Sequence, residues 1–76
     1  MNEEEVIEVL KKQNEEFRKL YQEHRELDNL LAELDKKHYL SPEEEVEKNR
    51  MKKEKLHKKD KIAEIVREYR KAGKIQ

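Results

Sequence analysis

His24 and Asp28 are the residues of this chain whose types and spacing come nearest to a chemical site. Four positions apart, they fall on one face of a helix, where a carboxylate can accept a hydrogen bond from the imidazole and fix its orientation. Such a pair does acid–base work only when it lines a concave, water-excluding pocket, and thin helices offer little concavity. Metal binding needs further ligands close by. His24 and His38 stand about four turns apart on a helix, and no H-x-x-x-H or tight carboxylate cluster accompanies them. The reading that fits is structural: a polar pair in an otherwise apolar seam, of the kind that specifies register or oligomeric state, with Lys55 approaching it.

A second feature is charge. Residues 48–61 hold Lys48, Arg50, Lys52, Lys53, Lys55, Lys58, Lys59 and Lys61 against Glu54 and Asp60, a local balance of +6 in a chain of zero net charge. A stripe of that sign can neutralise phosphates, with Lys52, Lys53, Lys58 and Lys59 as the nucleic-acid contacts. Against this, Lys far outnumbers Arg, no aromatic is interleaved for stacking on bases, and a solvated face with intramolecular ion pairs accounts for the same residues. Membrane-surface binding lacks the broad apolar face with Trp or Phe that it requires. A single Gly excludes a glycine-rich phosphate loop, and the single Ser41 stands in no nucleophile motif. No catalytic residue, metal ligand set or cofactor site emerges, so a non-enzymatic protein is expected.

The elements that position these residues follow from a seven-residue repeat. Val6, Leu10, Gln13, Phe17, Leu20, His24, Leu27, Leu31, Leu34 and His38 are spaced alternately by four and three, with Glu, Lys, Arg and Gln dominating between them. That is the a/d seam of a helix seeking another helix. Leu, Ile, Val and Phe supply only 17 of 76 residues and half the chain is charged, a composition close to that of disordered chains. The regular heptads, one Gly, one Pro and abundant Glu, Lys, Leu and Arg nevertheless favour long helices. The sharpest break is Ser41-Pro42-Glu43-Glu44. Ser41 suits the N-cap, Pro42 the first helical position, and Glu44 completes an S-x-x-E capping box.

The sequence therefore predicts a single all-α domain over residues 1–76. Helix 1 spans about 3–38, a turn 39–41, and helix 2 about 42–72, stopped at Gly73. So short a turn implies an antiparallel two-helix hairpin, coiled-coil-like, with positions summing to about 80 facing each other. Its interaction seam comprises Leu10, Phe17, Leu20, His24, Leu27, Leu31 and Leu34 on helix 1, and Met51, Ile62, Ile65 and Tyr69 on helix 2. The first half of helix 2 is poorly apolar, leaving Leu27, Leu30, Leu31 and Leu34 richer than Val46, Met51 and Leu56 can cover. A second copy of the chain is expected there, giving a four-helix bundle, or else another partner helix.

Phe17-x-x-Leu20-x-x-x-His24-x-x-Leu27-Asp28-x-x-Leu31, followed by Met51-Lys52-Lys53-Glu54-Lys55-Leu56-x-x-Lys59-Asp60-x-Ile62, resembles the YdcH-like family of short bacterial proteins of unknown function over roughly residues 17–66. The resemblance implies an α-helical hairpin of bacterial cytoplasmic origin and no established activity. Lys58 stands where that family usually has an apolar residue.

Association is thus the expected activity, as a homodimer or an adaptor for another protein. The alternative is a nucleic-acid-associated accessory protein using residues 48–61. The start Met-Asn-Glu-Glu-Glu lacks the basic and apolar regions of a secretory signal, and no stretch approaches the ~20 apolar residues of a membrane span, so a cytoplasmic location without membrane contact is expected.

Overall fold

A computed structural model of the chain describes residues 2–72, which form three α-helices. These are α1 (Glu3–Gln13), α2 (Glu15–Asp35) and α3 (Pro42–Lys71). The expected two-helix hairpin and coiled coil are overturned: the fold is a three-helix bundle, because the first long helix breaks at Asn14. There the backbone is extended (φ −126°, ψ 106°), and the Asn14 side-chain oxygen accepts a hydrogen bond from the Phe17 amide at 3.0 Å. Asn competes with the helix for its own neighbouring amides and is among the best N-caps. Glu15 and Glu16 follow in the first turn of α2, where the positive end of the helix dipole favours them. The freed end of α1 is also tied down, since an Arg18 guanidinium N–H donates to the Lys11 carbonyl at 3.3 Å.

The other termini are closed by similar local chemistry. Asn2 and Glu5 form a capping box at α1, with bonds of 2.9 and 3.3 Å. Ser41 and Glu44 form one at α3, with bonds of 3.0 and 3.1 Å and Pro42 in the first helical position. α2 ends at Asp35, short of the expected 38, so His38 lies in the linker rather than in a seam. The helix stop read at Gly73 lies outside the described residues.

α2 and α3 run antiparallel. Glu23, Asp28 and Asp35 rise along α2 as their ion-pair partners Lys58, Lys55 and Lys48 fall along α3. α1 folds onto one end of this pair. Val6 and Leu10 bury with Phe17 of α2 and Ile62 and Val66 of α3, and Ile7, Leu20, Tyr21, Ile65 and Tyr69 pack around them. Phe17 and Val6 are fully enclosed, each contributing ~1.5–3 kcal/mol of burial. Within α2, Phe17 stacks on Tyr21 with centroids 6.0 Å apart, and the Lys11 ammonium of α1, 4.2 Å above the Tyr21 ring, ties α1 to α2.

A second, smaller cluster joins Leu27 and Leu31 to Met51, with Leu34 packed against it. This removes the ground for the four-helix bundle. The leucines expected to need a second copy are covered by the chain's own Met51, and of the four only Leu30 stays exposed. Between the two clusters runs a polar layer of His24 and Glu23 on α2 and Lys55 and Lys58 on α3.

Candidate functional site

The predicted seam residues divide between the two clusters. Leu10, Phe17 and Ile62 are buried in the first, with Leu20, Ile65 and Tyr69 partly buried beside it; Leu27, Leu31 and Met51 are buried in the second, with Leu34 beside it. They form the protein's own core. Gln13 and His38, which continue the heptad count, are exposed.

At the polar pair, Lys55 donates a hydrogen bond to the Asp28 carboxylate from across the groove. That bond, together with the lysine charge, holds the Asp28 pKa below its ordinary value. The Nε2 of His24 is buried and has no hydrogen-bond partner among the described residues. Burial lowers the His24 pKa below the usual 6.5, Lys55 and Lys59 act in the same direction, and Asp28 opposes them. This arrangement keeps the imidazole neutral and packed. Among the described residues, no group of three His, Cys, Asp or Glu side chains is placed to hold a metal ion.

Helix geometry separates the four lysines read as nucleic-acid contacts. Lys58 pairs with Glu23 at 3.4 Å. Lys53 is exposed, and one residue on from Lys52 it turns about 100° away around the helix. Lys52 and Lys59, two turns apart on one face of α3, line a groove of about 370 Å³ together with Lys55 and Leu56. Its opposite wall is Asp28, Leu31, Ala32 and Asp35 of α2. Both walls repeat the spacing three, one, three, which places four side chains along one side of a helix. The groove has an apolar floor at Leu31, Ala32 and Leu56 and a cationic wall on α3. Asp28 and Asp35 are each matched by a lysine, Lys55 and Lys48, the latter at 3.0 Å.

The groove lies beyond the part of α2 that α1 covers. Tyr21 and Asp28 are seven residues apart and Ala32 four further on, so the three share one line along α2. α1 packs over the Tyr21 end of that line, through Lys11 and the first cluster. Among the described residues no helix covers the Asp28–Asp35 end. Ala32, Asp35 and Leu56 were missed as site residues by a reading that followed the a/d seam. Their signal is the i, i+3, i+4, i+7 pattern flanking the seam on both helices.

Fold and site define a small all-α protein with an open, charged groove beside a compact core. The chain belongs to the family described as "Protein of unknown function (DUF465)", which matches residues 17–66. That span begins after α1 and covers the whole of the groove. No curated protein and no solved structure matches the chain. Among the described residues, no helix is long and apolar enough to cross a membrane.

Proposed function

We propose that this is a non-enzymatic bacterial cytoplasmic protein, of the YdcH-like kind within its family, that works by binding another protein through the open face of α2 and α3. The observation that carries this reading is the groove itself. It is shallow and continuous with the surface, with apolar side chains on its floor and cations on its wall, as a surface for a macromolecular partner would be. A second copy is the weaker candidate, because Leu27, Leu31 and Leu34 are covered within one chain. Sedimentation equilibrium is expected to give the monomer mass.

Crosslinked pull-down of the tagged protein from its native lysate, with and without nuclease, tests the reading. A stoichiometric protein partner that resists nuclease supports it; co-purifying material that disappears with nuclease overturns it. The second reading, a nucleic-acid accessory, is favoured by one observation: Lys52, Lys53, Lys59 and Lys61 have no ion-pair partner among the described residues. A gel shift at low salt that Glu at positions 52, 53 and 59 abolishes would favour it.

A further inference from the structure

The open groove has a definite chemical character, and the chain itself contains a segment of the kind that fits beside it. α1 is amphipathic: Val6 and Leu10 are buried, while Glu3, Glu4, Glu5 and Glu8 are exposed. It covers the Tyr21 end of the line that continues, uncovered, past Asp28 and Ala32. We propose that the uncovered end takes an acidic amphipathic helix from another protein, with its apolar side on Ala32 and Leu56 and its carboxylates beside Lys52 and Lys59. The inference rests on the association reading above and specifies the chemistry of the partner.

Charge selects an acidic occupant. The Asp28 and Asp35 carboxylates are already matched by Lys55 and Lys48, so they present no net anionic demand to an incoming group. Lys52 and Lys59 are exposed and carry no ion-pair partner among the described residues. Seven residues apart on α3, they lie about 10 Å from each other along the wall, close to the rise of two helical turns. Carboxylates at i and i+7 of a partner helix would match that spacing. The floor selects a helix over a simple polyanion. Leu56 is 56% exposed and lines the groove. A phosphate backbone has no use for it, whereas the leucine stripe of an amphipathic helix covers it.

The test is fluorescence anisotropy of the full chain with a labelled synthetic amphipathic peptide of about three turns, Leu on one side and Glu on the other, beside a counterpart in which every Glu is Lys. The Glu peptide is expected to bind and the Lys peptide not to. The double variant K52E/K59E should weaken the Glu peptide at least about tenfold and gain affinity for the Lys peptide, and added salt should weaken the wild-type complex. Leu56→Ser should weaken the Glu peptide as well. All of these positions are exposed, and the two peptides compared on the unmodified chain give a charge test that needs no variant. Absence of binding by the Glu peptide, or equal binding by both peptides, overturns the proposal. So does loss of binding in K52E/K59E with none in Leu56→Ser, which is the behaviour of a polyanion surface. In the pull-down, a nuclease-resistant partner still captured by both variants overturns the groove assignment alone, whereas capture of no protein by the wild-type chain removes the association reading with it.

Discussion

Lys55 on α3 donates a hydrogen bond to Asp28 on α2, and so engages the carboxylate that lies one turn from His24. His24 is left with a buried Nε2 that has no partner among the described residues, beside two lysines. Its pKa in the folded chain lies below 6.5, chiefly through burial. As pH falls, the unfolded chain therefore binds the proton first. The stability this group contributes is fully present above 6.5 and is lost as pH falls from there through the folded-state value. The melting temperature should decline across that window, and His24→Leu should remove that part of the decline. An NMR titration is expected to place the His24 midpoint below 6.5; a midpoint at or above it would contradict the packed, neutral imidazole.

A different group governs the more acidic range. Lys37 bonds to the Glu44 carboxylate, and the Ser41 amide donates to it within the capping box, holding its pKa down to about 2 from 4.5. Because the folded value is depressed, the contribution of Glu44 is present above 4.5 and is lost as pH falls from 4.5 towards 2. Glu44→Gln should flatten that part of the acid limb in a thermal melt while leaving the His24 window unchanged. Retention of the full acid limb in the variant would show that the clasp between the linker and α3 contributes nothing.

The break at Asn14 is tested by removing its acceptor. Asn14→Ala should cost about 0.5–2 kcal/mol in urea denaturation, whereas Asn14→Asp should retain most of the stability because the carboxylate can cap the same amide. Ala is the better helix former, so a stability equal to or above wild type would mean that the chain prefers one continuous helix there.

That outcome bears on why the first break was hard to read while the second was plain. Ser41-Pro42-Glu43-Glu44 carries its signal within four residues, and Pro42 cannot be absorbed into a preceding helix. Asn14-Glu15-Glu16 uses the same capping chemistry, but one extended residue leaves the heptad count intact. Leu10, Gln13, Phe17 and Leu20 keep their spacing whether or not a hydrogen-bonded ladder runs through them. Spacing reports which residues turn inward, and it found the core: Leu10, Phe17, Leu27, Leu31, Met51 and Ile62 are buried. It is silent on flanking residues such as Ala32 and Leu56. Those line a groove along the stretch of α2 and α3 that α1 leaves uncovered.

Two adjacent leucines measure how much of the stability resides in the α2–α3 core. Leu31 is 6% exposed and packs with Leu27 and Met51, whereas Leu30 is 52% exposed on the same turn. Truncating Leu31 to Ala removes buried methyl groups and leaves a cavity between two helices that can collapse only in part, an effect of ~2–5 kcal/mol. Leu30→Ala should change stability by no more than ~0.5 kcal/mol, as for other exposed positions. A domain this small has only ~5 kcal/mol in reserve, so Leu31→Ala should melt close to room temperature while Leu30→Ala melts with the wild type. Equal destabilisation by the two would mean that Leu30 is covered in solution, by a second copy or another chain. Repeating both melts over a range of protein concentrations separates those cases, because only a self-associating chain gains melting temperature with its own concentration.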